Sequence, residues 1–250
     1  MSPGRLQHST GAPLGWLLAC LCALLALIAP AAVLASEPIE GKVYAPGPFE
    51  KLEINGAAHV KLSQGSKDEV FIQGDADVQR SVQVELIDDK LFIRPAGGWK
   101  FWRSARLQVE VIMRNLSQLV LSGAADVNAM GPVKSGRLAV NVSGAGQARF
   151  DDLSAEQLQF QIAGAGDGRL RGQVGELKLS VAGKGKLQAD QLHCERATVQ
   201  INGIGSAALW VDEQLTVKVA GFGSVDYWGQ PEVNRSVAGL ATINSRGDKR

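Results

Sequence analysis

Cysteine is nearly absent from this chain. Three occur in 250 residues, at Cys20, Cys22 and Cys194, and the first two lie inside an apolar N-terminal run. If that run is removed, Cys194 stands alone and no intramolecular disulfide is possible. A lone cysteine of this kind reads as a buried apolar residue. Its neighbour His193 makes a metal-like juxtaposition, but adjacent residues of a strand face opposite ways, and the scattered Asp75/Asp77 and Asp151/Asp152 lack the nine-residue period of calcium repeats. No metal or other cofactor is therefore expected. Histidine is as scarce: with His8 in the N-terminal segment, His59 and His193 remain far apart, and no Ser/His/Asp arrangement emerges. An excess of charge is also missing. Arg5 is the one charged residue before position 36, so the remainder carries 25 basic against 25 acidic residues. That balance gives no electrostatic basis for recognising nucleic acid or an anionic membrane surface. Finally, no stretch reads as a long amphipathic helix.

What is present begins with a secretory pattern. A polar stretch containing Arg5 precedes an apolar run over 14–29, and Val33-Leu34-Ala35 stands before Ser36. These are the three parts of a signal peptide, assigned to 1–35. Pro30 and the shortness of the run argue against a retained membrane span. Residues 36–48 hold Pro38, Gly41, Pro46, Gly47 and Pro48 and read as a linker or loosely docked arm. Alternating runs follow. Leu52, Ile54, Val60 and Leu62 form one phrase, and Val70, Ile72 and Val78 another, each with a glycine at Gly56 or Gly74. Then come Val82-x-Val84-x-Leu86, Leu91-x-Ile93 and Leu107-x-Val109-x-Val111, with a turn at Asp88-Asp89. Their period of two predicts strands buried on one face.

From position 119 onward one phrase recurs. Its clearest copy is Leu138-Ala139-Val140-Asn141-Val142-Ser143-Gly144-Ala145-Gly146. Further copies centre on Gly164/Gly166, Gly183/Gly185, Gly203/Gly205 and Gly221/Gly223, with looser ones at Gly123 and Gly239, spaced 18–21 residues apart. Apolar residues stand at even offsets on both sides of the first glycine, and polar residues fill most odd offsets. One copy thus has one apolar face, which it cannot bury alone, while stacked copies bury it together. The glycines also fall at even offsets, which predicts inward corners without room for a Cβ. The fold expected is all-β: a right-handed parallel β-helix or β-solenoid with rungs of about 20 residues. The alternative is an antiparallel β-sandwich or barrel with each Gly-x-Gly in a hairpin turn.

The repeated Val-Ser-Gly-Ala-Gly, Ile-Ala-Gly-Ala-Gly and Val-Ala-Gly-Lys-Gly phrases, the opening Phe49-Glu50-Lys51-Leu52-Glu53-Ile54 and the closing Asp226-Tyr227-Trp228-Gly229-Gln230-Pro231 resemble the head-GIN-domain family of bacterial autotransporter adhesin heads. The resemblance covers 49–245, leaving 246–250 as a tail. It implies an exported, non-enzymatic β-solenoid of the bacterial envelope, in the periplasm or at the cell surface. It brings no catalytic residues, and no autotransporter barrel is recognisable in the chain.

Two surface features are candidates for binding an envelope glycan or protein. The first is the aromatic and basic insertion Trp99, Lys100, Phe101, Trp102 and Arg103, which otherwise serves to cap an open end of the solenoid. The second is the residue between the paired glycines. It is Ala124, Ala145 and Ala165 early, then Lys184, and finally Ile204, Phe222 and Leu240. When stacked, the last three make an outward apolar stripe, with Tyr227 and Trp228 close to it in sequence. The enzymatic alternative is a glycan-cleaving pair formed by Asp126 and Asp167, which occupy the same offset two rungs apart. The more ordinary reading of these two is solvated surface charge. Gly164-Ala165-Gly166-Asp167-Gly168 lacks the following helix that a phosphate cradle requires, so no nucleotide is expected.

Overall fold

Strict alternation of apolar and polar side chains forces an extended backbone, and the computed structural model, which describes residues 40–97 and 106–249, is built almost wholly of strands. The expected signal segment, residues 36–39 and the Trp99, Lys100, Phe101, Trp102 and Arg103 insertion lie outside the described residues. The chain runs through β1 (Gly41–Tyr44), β2 (Lys51–Gly56), β3 (Ala58–Gln64), β4 (Glu69–Gln73), the six-residue helix α1 (Ala76–Ser81), β5 (Val82–Ile87) and β6 (Lys90–Pro95). It continues with β7 (Leu107–Met113), β8 (Gln118–Gly123), β9 (Asp126–Ala129), β10 (Val133–Val142), β11 (Gln147–Ile162) and β12 (Ala165–Val181). The last elements are β13 (Lys184–Ile201), β14 (Ile204–Val219), β15 (Phe222–Trp228), β16 (Glu232–Val237) and β17 (Leu240–Ser245).

From β8 onward each strand pairs in parallel with its counterpart in the next copy, giving the β-solenoid that the repeat predicts. The antiparallel sandwich is thereby excluded. Each long strand bends into three legs, and the bends appear as register shifts such as Phe150/Leu153 and Arg169/Arg171. The leg before the glycines forms one sheet and the leg after them a second. A short third sheet joins Val133, Leu153 and Gly172. Like stacks on like inside: Leu158 on Leu177 on Ala197, and Ile162 on Val181 on Ile201. All six are buried, and no polar or charged residue is buried among the described residues. Each fully buried aliphatic or aromatic side chain in these ladders contributes about 1.5–3 kcal/mol.

The first glycine of each copy departs from the inward-corner expectation, and the second matches it only from Gly166 onward. A Cβ on Gly144 would lie 2.1 Å from the Gly123 carbonyl oxygen, and one on Gly164 would lie 2.4 Å from that of Gly144. The first glycine therefore faces along the stack, where the backbone of the preceding rung excludes any side chain. From Gly166 onward the second points inward, where a Cβ on Gly166 would meet Val142 Cγ1 at 2.5 Å, whereas one on Gly146 would lie 2.3 Å from the Ala125 carbonyl oxygen.

The first part of the chain departs from simple stacking. The rung formed by β2 and β3 pairs on one side with β6 and β7 and on the other with β8 and β9. The rung that comes second in sequence thus lies outside the first. Strands β4 and β5 run antiparallel to β7 and β6, and β1 runs antiparallel to β4. The phrase at Val70, Ile72 and Val78, expected to be extended throughout, is an antiparallel strand followed by α1, which holds Val78. Asp75 stops the strand because its carboxylate caps α1, accepting from the N–H groups of Asp77 and Val78 at 2.9 and 3.0 Å. The stretch predicted as a linker likewise contains β1. At the other end, the expected tail continues the rung: Gly229 N donates to Gly247 O at 3.0 Å and Arg246 N to Tyr227 O at 2.8 Å.

Candidate functional site

A residue flanked by two glycines that cannot carry side chains has one direction left, outward. Register then makes columns of such residues. Lys184, Ile204, Phe222 and Leu240 are consecutive partners. Ile204, Phe222 and Leu240 are 52, 59 and 70% exposed. The apolar stripe expected from sequence therefore exists as an uncovered ladder among the described residues. Tyr227 and Trp228 do not join it. They stand at the far end of β15 from Phe222, about 20 Å along an extended strand. Tyr227 packs half-buried against the core, in register with Leu209, and Trp228 pairs with Trp210.

The second set of columns lies on and beside the third sheet. Lys134, Ser154, Gln173, His193, Trp210 and Trp228 are successive register partners. His193 Nε2 donates to Asp212 Oδ2 at 2.6 Å, and its ring lies 4.7 Å from that of Trp210 at an interplanar angle of 59°. Lys249 Nζ sits 5.6 Å from the Trp210 ring centre and 5.1 Å from that of Trp228, and 3.5 Å from Asp190. Alternation sends Cys194 inward, where burial and the nearby Asp212 charge push its thiol up to about 12. It is inert as a nucleophile at neutral pH, and His193 and Cys194 cannot share a ligand. None of this cluster except His193, Cys194 and Trp228 drew notice in the sequence. The Trp210 contact depends on a register shift between Ala189 and His193, which no local pattern announces.

Along the same side runs an open groove of about 930 Å³ that crosses the legs of β10 to β13. Its walls include Lys134, Gln157, Gln173, Glu176, His193 and Arg196. Asp126 and Asp167 are not in it. They belong to an outward column on the second sheet, His59, Asp126, Gln147, Asp167 and Lys186. Asp126 is bound by Arg106 and lies 3.5 Å from His59 Nδ1, while Asp167 Oδ1 accepts from the Lys186 N–H at 3.1 Å. Each carboxylate is thus held by a cation or a backbone amide, and neither lines the groove. No group of three potential metal ligands occurs among the described residues.

A parallel β-solenoid with an exposed apolar ladder and a longitudinal groove is the class of structure this chain presents. Within that class the chain belongs to the family described as "Putative auto-transporter adhesin, head GIN domain", whose sequence profile matches residues 48–231. Its fold is shared with a putative adhesin from Bacteroides fragilis at TM-score 0.78 and 22% identity, covering 84% of this chain and 98% of that one. A putative lipid binding protein from Parabacteroides distasonis aligns at TM-score 0.69 and 18% identity, covering 84% and 97%. A putative adhesin from the same species gives TM-score 0.66 and 21% identity, covering 83% and 97%. No curated protein matches the chain.

Proposed function

We propose that this chain is an exported, non-enzymatic binding module of the bacterial envelope, which meets a partner protein through the Ile204, Phe222 and Leu240 ladder. The observation that carries the reading is the exposure of three large apolar side chains in consecutive register. Such a contiguous stripe is characteristic of contact surfaces. The adhesin description of the family agrees with it. The N-terminal pattern over 1–35 supports export, with the chain held in the periplasm or at the cell surface. Trp99, Lys100, Phe101, Trp102 and Arg103 supply a second contact region, and Trp228 and Tyr227 are released from that role.

The test is binding of the purified chain to immobilised envelope protein fractions. An Ile204→Ser/Phe222→Ser/Leu240→Ser variant is expected to bind at least about tenfold more weakly, and Trp99→Ala/Trp102→Ala to have a separate effect. Unchanged binding by the ladder variant overturns the assignment. Lipid vesicles form a parallel arm, because one structural neighbour is named as a lipid binder. Association with vesicles but not with protein replaces the protein partner with a lipid surface.

A further inference from the structure

The groove beside the third sheet differs from the apolar ladder in every chemical respect, and it is built from three parallel columns. The first is Lys134, Ser154, Gln173 and His193. The third is Arg137, Gln157, Glu176 and Arg196. Between them run Gly136, Glu156, Gly175 and Glu195. Small residues thus alternate with long ones along the floor. Gly175 has a packing reason to be glycine, since a Cβ there would come within 2.8 Å of the Glu156 carbonyl oxygen. Gly136 has none. A Cβ added to it meets nothing within 4 Å, and its φ lies outside the left-handed region. Its missing side chain leaves that end of the groove open.

The polar groups of the walls offer both donors and acceptors, and their charges largely cancel. Arg137 Nε donates to Gln157 Oε1 at 3.0 Å, Lys178 pairs with Glu176 at 3.0 Å, and Arg196 pairs with Glu213 at 2.8 Å and Glu195 at 3.6 Å. A site for a polyanion would leave a surplus of cations, and this one does not. At the C-terminal end of the first column the wall turns aromatic, with the His193 ring fixed by Asp212 and set against Trp210. Beyond it Lys249 and Asp190 close the column.

We infer that this groove binds a linear, uncharged polysaccharide lying parallel to the stacking direction. A pyranose presents hydroxyls around its rim and C–H groups on its faces. Amides, hydroxyls and carboxylates in columns satisfy the rim, and the His193 ring, backed by Trp210 at the end of the groove, offers a flat surface to a face. The wall repeats every rung, about 4.8 Å, so the four rungs span roughly 14 Å between first and last. A periodic wall open at its sides suits a periodic chain rather than a compact metabolite. The inference rests on the reading of the protein as a binding module, but uses none of the residues of the apolar ladder.

The experiment is isothermal titration of the full chain with cellohexaose, chitohexaose and maltohexaose, with polygalacturonate as the acidic comparison. At least one neutral hexaose is expected to bind. Gly136→Val, whose side chain enters the groove without meeting the fold, is expected to abolish that binding with an unchanged melting temperature. Gln173→Ala is expected to weaken it about tenfold, the loss of one well-made hydrogen bond. The ladder triple variant should bind the sugar normally, which separates failure of the groove from failure of the protein-contact reading. Absence of binding to all three neutral hexaoses at millimolar concentration overturns the inference. So does binding confined to polygalacturonate, or binding that survives Gly136→Val.

Discussion

The two ends of the stack are finished differently. At the first, the chain doubles back: β4 and β5 lie antiparallel on the outermost parallel rung and bury Val70, Ile72 and Val82 against it. At the second, β16 and β17 form the last rung, and among the described residues nothing pairs beyond them. Val237, the register partner of the buried Val219, is 45% exposed there. Arg235 stands opposite buried Val217. A solenoid must manage two raw edges, because an unpaired edge recruits other strands. Here one edge is covered by antiparallel strands, and the other carries an exposed arginine at a register position that is apolar and buried in the preceding rung. The middle, with its glycine column, needs neither device.

This contrast can be broken or sharpened by substitution. The largest effect belongs to the middle. Gly144→Val places carbon against the Gly123 carbonyl, and more than about 4 kcal/mol of stability should be lost, seen as loss of the cooperative melting transition. A stable Gly144→Val protein would mean that the glycine column is not what sets the rung spacing. Next, if the antiparallel cap is part of the core, Ile72→Ala should cost about 2–5 kcal/mol by denaturant unfolding. Ile243→Ala in the last rung, half-buried, should cost less than about 1.5 kcal/mol. Equal costs would erase the difference between the ends.

A smaller effect concerns pH. Asn244, and then Arg246, hydrogen-bond Asp226 and hold its carboxyl below the ordinary value of 3.8. Because the folded value is depressed, the stabilisation is present above the ordinary carboxylate range and is lost as pH falls through the folded value, below 3.8. The last rung should therefore loosen from β15 only in strong acid, reported by the Asn244 side-chain amide resonance in NMR. In Asp226→Asn that resonance should look released already at neutral pH and change little on acidification. The smallest expected change in stability, within about 0.5 kcal/mol, is for Arg235→Val. Its effect should appear instead as association, with a concentration-dependent shift in size-exclusion chromatography. A strictly monomeric Arg235→Val protein would show that Arg235 does not keep that edge from pairing.

The legible part of this molecule was the part governed by period. Even-numbered offsets put Leu158, Phe160 and Ile162 inside, and constant spacing put Ile204, Phe222 and Leu240 in one outward line. Order in the stack was not legible, because β2 and β6 carry the same alternation and nothing local says which lies outside. The antiparallel course of β4 was hidden for the same reason: a strand of alternating residues reads alike in both directions. The groove escaped notice because its columns pass through the bends, where register slips by one to three residues and sequence offsets stop indicating neighbours. The Asp126 and Asp167 pairing was read at the correct offset, yet its meaning depended on Arg106, His59 and the Lys186 amide, which arrive from other rungs.

The division of labour proposed above gives the scaffold to the inward repeat and the contacts to the outward residues between the glycines. Its most direct test joins two readings on one protein, the melting temperature and the envelope binding of Ile204→Ser/Phe222→Ser/Leu240→Ser. A melting temperature within a degree or two of the parent is expected, as for exposed substitutions, together with binding reduced at least about tenfold. A collapse in melting temperature would show the ladder to be part of the fold, and unaltered binding would show that the contacts lie elsewhere.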